Sequence, residues 1–210
     1  MELPHEWREL DGEAKRLLEA NLSHCDLVQY DTGLVMPRVF AETMADKVYS
    51  FEVREDDIWV VSFPKTGTTL MLEMLWMIIN NMVRCQVFST QSNGGACQED
   101  PADTPHMVRC PWLEATAFLS EGDGLDSPYS EIRDILQDSI QHVASIKGRR
   151  IIKTHLPLEF LPPHLADTCK VIYLGRNPAD TAVSFYHWHK ETFSGSFATF
   201  IDMFCKGKIP

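Results

Sequence analysis

Apolar residues along this chain fall in short blocks, each closed by a polar turn, and the blocks differ in period. Ile58, Trp59, Val60 and Val61 run on without a polar residue, which predicts a strand buried on both faces. Pro64 closes it, because proline cannot donate to a sheet ladder. From Leu70 to Ile79 the chain is apolar nearly all round, with Glu73 the one charge. That pattern predicts a centrally buried helix. Between strand and helix lies Lys65-Thr66-Gly67-Thr68-Thr69, a tight basic-glycine-hydroxyl turn.

The remaining blocks are read the same way. Residues 13–20 predict a short helix in which Leu17 and Leu18 pack on the body. Residues 33–37 form an apolar segment closed by Pro37, and a helix is expected over 38–49. Over 130–146, Ile132, Ile135, Leu136, Ile140, Val143 and Ile146 keep a helical spacing, with Ser130 as N-cap and Lys147-Gly148 as the stop. Residues 150–153 predict a second strand running into Thr154-His155-Leu156-Pro157. Residues 170–174 predict a third, running into Gly175-Arg176-Asn177-Pro178 and a helix over 178–190. The segment 84–128 has no period and is punctuated by Asn93-Gly94-Gly95, Pro101, Pro105, Pro111, Gly122, Gly124 and Pro128. It predicts a long irregular loop whose apolar island is Pro111-Trp112-Leu113-Glu114. Trp112 there either packs on the core or walls a substrate site.

Strands separated by helices imply an α/β fold, a parallel sheet flanked by helices with a P-loop-like strand-turn-helix. Ligands of such sheets bind beyond the carboxyl ends of the strands. All three strand ends here are basic: Lys65, then Lys153 with His155, then Arg176. The free N–H groups of a helix start, its dipole, Lys65 and the hydroxyls of Thr66, Thr68 and Thr69 together suit an anion, most simply a phosphate. The alternative is a plain turn with a threonine cap, but this cluster is more polar than a cap requires.

Composition narrows the choice of partner. A formal charge of −11 and a pI near 5.1 argue against a nucleic-acid surface, so an anion site must gather its cations locally. The six cysteines form no C-x-x-C pair, which favours reduced thiols and a cytoplasmic protein. The N-terminus lacks an export pattern, and the 70–79 run is too short to span a membrane. His187 and His189 lack a second ligand pair, so no metal is expected. An ordinary P-loop NTPase is disfavoured because its lysine follows the last glycine, whereas Lys65 precedes Gly67.

Three segments together carry a specific resemblance: F-P-K-T-G-T-T at 63–69, K-T-H-L-P at 153–157, and L-G-R-N-P-A-D-T-A-V-S-F-Y-H at 174–187, with a weaker P-W-L-E at 111–114. In these the chain resembles the cytosolic sulfotransferase family. The resemblance implies transfer of a sulfuryl group from 3′-phosphoadenosine 5′-phosphosulfate (PAPS), leaving PAP, to a hydroxyl or amine of a small acceptor. It implies that Lys65, Thr66, Gly67, Thr68 and Thr69 cradle the 5′-phosphosulfate. His155 would be the general base, Lys153 and Lys65 would be catalytic cations, and Arg176 and Ser184 would hold the 3′-phosphate. Leu70 stands where many members stack an aromatic residue on the adenine, and Trp112 with His155 would face the acceptor. It implies one sulfotransferase-like domain over 1–210 lacking its C-terminal part, including the R-K-G-type stretch and the dimerisation segment of the often homodimeric family. The alternative is a non-catalytic isoform that binds nucleotide weakly or regulates a partner.

Overall fold

The computed structural model describes residues 1–22, 26–80, 104–119 and 130–209. Two three-stranded sheets organise them. The first is antiparallel, in the order β1 (Trp7–Glu9), β2 (Leu27–Tyr30), β3 (Val35–Pro37). The second is parallel, with β4 (Ile58–Ser62) between β5 (Ile151–Thr154) and β6 (Lys170–Leu174). The continuous apolar run of β4 is explained by that central place. Trp59 and Val61 pack on one face with Ile152, Phe40, Val48 and Phe160. Val60 packs on the other with Ile151 and Leu72.

Helices fill the intervals. α1 (Gly12–Asn21) buries Leu18 against the underside of the antiparallel sheet, beside Leu22 and Val35. The helix expected over 38–49 forms as a π-helical turn, Phe40–Met44, running into α2 (Ala45–Tyr49). α3 (Thr68–Ile79) follows β4, and α4 (His106–Arg109) is a single turn. α5 (Ser130–Ser145) breaks helical geometry at Asp138 (φ −153°, ψ 91°), and Gly148 follows it in the left-handed region. After β5 come α6 (Leu165–Thr168), β6, α7 (Pro178–Trp188) and α8 (Phe197–Cys205).

A buried ion pair joins the amino ends of the parallel strands, opposite the basic ends. Arg150 Nε lies 2.7 Å from Asp57 Oδ1, with side chains 1% and 0% exposed. Arg54 N–H also donates to Asp57 Oδ2 at 2.9 Å, and Ile58 N–H to Arg150 O at 2.9 Å.

Two expectations need correction. α3 is not centrally buried: it seats Thr68 and Leu72 while Leu70 and Ile78 stand 66% and 65% exposed. One stripe of the helix meets β4, β5 and α4, and the opposite apolar side faces outward. The segment 104–119 is not irregular. Pro111–Leu113 pairs with Lys153 through Lys153 N–H to Pro111 O and Leu113 N–H to Lys153 O, both 2.9 Å. A one-turn 3₁₀ helix, Ala115–Ala117, follows. The break in α5 pins this turn, since Ser139 Oγ donates to Leu113 O (2.7 Å) and Ser139 N–H to Thr116 Oγ1 (2.8 Å). β6 carries Tyr173 at 73% exposure and pairs only with β4 among the described residues. The glycine and proline signals at 93–95, 101, 122, 124 and 128 lie outside the described residues.

Candidate active site

The carboxyl ends of β4, β5 and β6 meet on one side of the parallel sheet, because the parallel register sets Val61 beside Thr154 and Ser62 beside Leu174. Beyond β4 the chain turns through two left-handed residues, Lys65 (φ 66°) and Gly67 (φ 105°). A Cβ on Gly67 would meet nothing within 4 Å, so glycine serves the backbone angle there rather than a close approach. Met71 N–H makes the first intrahelical bond of α3, to Gly67 O. The N–H groups of Thr68, Thr69 and Leu70 precede it and open at the helix start.

The three hydroxyls divide their roles. Thr68 is buried and shares a 2.7 Å hydrogen bond with Ser62 Oγ, and Thr66 Oγ1 donates to Phe63 O at 2.7 Å. These two therefore brace the turn, and Thr69 is the exposed one. Thr66 Oγ1 gives its proton to Phe63 O, whereas in the Thr68–Ser62 pair either hydroxyl can be the donor.

At the end of β5, His155 Nδ1 lies 2.7 Å from Ser62 O and 3.4 Å from Ser62 Oγ. A carbonyl can only accept, so Nδ1 carries the proton and Nε2 keeps its lone pair. His155 N–H donates to Glu114 Oε1 at 2.6 Å. Burial, and then the charge of Lys153, push the imidazole pKa down to about 3, against a smaller opposing effect of the Ser62 carbonyl. The ring is neutral at pH 7.

Lys153, two residues earlier, holds Nζ 4.5 Å over the Trp112 ring. Burial lowers its pKa, Glu114 raises it, and Lys65 lowers it again. Trp112 stacks on Phe118 (centroids 5.3 Å, 16°) and meets His155 edge-on at 5.4 Å. Trp112 is therefore packed, stacked on Phe118 and edge-on to His155. At the end of β6, Arg176 Nη1 donates to Lys65 O at 2.9 Å, tying the third strand end to the first. Asn177 Oδ1 caps α7 by accepting Ala179 N–H at 2.9 Å, with Pro178 next in line.

The fold thus brings together Lys65, Thr66, Gly67, Thr68, Lys153, His155 and Arg176, with Thr69 and Leu70 on the open first turn of α3. Ser184 is half-buried on α7 and makes no side-chain hydrogen bond among the described residues. His189 is buried in a ring of Phe185, Trp188 and Phe200, and burial pushes its pKa down to about 4. Sequence reasoning missed Ser62 and Glu114. Nothing marks Ser62 inside an apolar strand, but a carboxylate ending the island Pro111-Trp112-Leu113 was a readable signal.

The chain can be set beside known proteins at this point. The family described as sulfotransferase domain matches residues 55–210. Human sulfotransferase 1E1 is 28% identical over 198 residues, covering 92% of this chain and 57% of its own length. Bovine sulfotransferase 1A1 is 30% identical over 186 residues, covering 86% and 52%. The chain spans about half the length of these curated relatives. Among solved structures, retinol dehydratase in complex with retinol and PAP aligns with a TM-score of 0.79 at 25% identity, over 100% of this chain and 63% of that one. Mouse sulfotransferase SULT7A1 complexed with PAP gives 0.53 at 26%, over 87% and 52%. Among the described residues, no helix is long and apolar enough to cross a membrane.

Proposed function

Because the chain belongs to the sulfotransferase family, we propose that it moves a sulfuryl group from PAPS to a hydroxyl or amine of a small acceptor, with His155 as general base. The donor would bring a sulfuryl group already activated by its anhydride link to phosphate. The residues present suit such a polyanionic nucleotide. The open N–H groups of Thr68, Thr69 and Leu70, with Thr66, Gly67 and the Lys65 ammonium, would hold its 5′ side. Arg176 would fork onto the 3′-phosphate, with Ser184 completing that contact, and Leu70, exposed at the helix start, would pack on the adenine. The PAP complexes of the two superposed structures support this choice of nucleotide.

The observation that carries the reading is the bond from His155 Nδ1 to Ser62 O at 2.7 Å. It leaves Nε2 as an acceptor and supplies a carbonyl to stabilise the imidazolium when the acceptor's proton arrives. Lys153 would bind the oxygens of the group in flight, and Lys65 would neutralise charge on the oxygen that departs. Trp112 and Phe118 would form an apolar wall for the acceptor. A transfer assay with radiolabelled PAPS and a panel of phenols, alcohols and amines tests this. The His155→Ala variant should lose about 100-fold or more in turnover while binding PAP as before. Turnover like that of the parent would overturn the base assignment.

A further inference from the structure

A second cleft lies at the amino end of β5, the opposite end from His155. It holds about 400 Å³, within the roughly 300–1,000 Å³ usual for small-ligand sites. Its apolar wall is assembled from separate elements: Trp76 and Ile79 from the last turn of α3, Val108 from α4, Ile146 just past α5, and Ile151 at the start of β5. All but Ile151 stay half-buried, so apolar surface is left open to a ligand. The four residues of β5 set this cleft about 13 Å from the histidine end of the strand.

Three arginines share the cleft, and no carboxylate lines it among the described residues. Two of them have their charge answered. Arg109 forks onto Glu73, at 2.9 and 2.6 Å, and lies 5.0 Å over the Trp76 ring. Arg150 is paired with Asp57 and also donates to Glu52 O at 2.9 Å. Arg149 is exposed, and no hydrogen bond or ion pair engages its guanidinium among the described residues. An unengaged cation beside apolar walls, in a chain of formal charge −11, is complementary to a ligand with an apolar body and one negative head. We propose that the cleft between α3, α4, α5 and β5 binds an organic anion, an aromatic body bearing one carboxylate or sulfate group, with the body on Trp76 and the head on Arg149. A nucleotide polyphosphate suits it less, because Glu73 and Asp57 already neutralise the other two arginines.

The test is NMR titration of protein with labelled isoleucine methyl groups, using 2-naphthoate, 2-naphthyl sulfate and the neutral 2-naphthol as probes. The methyls of Ile79, Ile146 and Ile151 should shift and saturate with at least one anion, the tighter of the two identifying the head group. The neutral 2-naphthol should bind there about tenfold more weakly. Arg149→Glu turns attraction into repulsion on an exposed side chain, and should weaken the anion about tenfold while leaving 2-naphthol as in the parent. His155→Ala should titrate like the parent, since the cleft lies at the other end of β5. Three results would each overturn the proposal: no shift at these methyls, equal affinity for anion and 2-naphthol, or Arg149→Glu titrating like the parent. Loss of the shifts in His155→Ala would assign the probe to the transfer site and overturn it as well. The inference does not rest on the sulfuryl-transfer reading: a chain that binds the anion here but transfers no sulfuryl group would refute that function and leave this cleft intact.

Discussion

His155→Asn should flatten the acid side of the stability profile. The folded imidazole has a pKa of about 3, against 6.5 for an ordinary histidine. Between those values the unfolded chain binds a proton that the folded protein refuses, so stability is fully present above pH 6.5 and is lost as pH falls toward 3. Integrated from pH 8 to pH 4, that one site costs the folded state about 3 kcal/mol. His106 and His189 also have depressed values, but they are common to both proteins and cancel in the difference. An asparagine offers Ser62 O a side-chain N–H in place of Nδ1 and does not titrate. Urea denaturation at pH 8, 6, 5 and 4 on parent and variant measures the two slopes. The variant starts lower at pH 8, because it loses the ring's packing on Trp112, but it should lose about 3 kcal/mol less on the way to pH 4. Parallel curves would refute the argument: the ring would then not be held neutral, and the tautomer on which the base assignment rests would fall with it.

Two further outcomes follow from the geometry. Asp57→Ala strands the Arg150 guanidinium in a site where it is 1% exposed, and should cost about 3–5 kcal/mol by urea denaturation; a loss below about 1 kcal/mol would mean the pair opens to water. Arg176→Ala should reduce the preference for PAP over ADP about tenfold or more by calorimetric titration, since a charge-assisted contact to phosphate is worth about 1.5–3 kcal/mol. An unaltered preference would assign the 3′-phosphate to other residues.

In the parallel half, β4 was legible because burial on both faces writes an unbroken apolar run, and Lys170–Leu174 also appears where its apolar residues put it, although that strand is only partly buried. The antiparallel sheet was not. Trp7–Glu9 is exposed along its whole length, and Gln29 sits buried in β2 by donating to Gly33 O at 3.0 Å, so neither strand shows alternation. The outward face of α3 misled for a physical reason: an apolar pattern states what a surface is made of, not what covers it. At the site, the strand ends gave the cations and the histidine. The tautomer of His155 and the place of Glu114 depend on contacts across 93 and 41 positions, which no local pattern encodes.

The bond from Arg176 to Lys65 O joins two strand ends that the sequence separates by 111 positions. A guanidinium has five N–H donors, so one can rest on that carbonyl while its remaining edge meets a phosphate. On the proposed reading, one side chain thereby touches both ends of the nucleotide site, through the loop at one end and the 3′-phosphate at the other. Occupancy of either end then biases the conformation of the other, and thermodynamic reciprocity requires the same factor in both directions. A ligand bearing only the 3′ group would sharpen the cradle for a free anion as much as that anion sharpens Arg176 for the ligand.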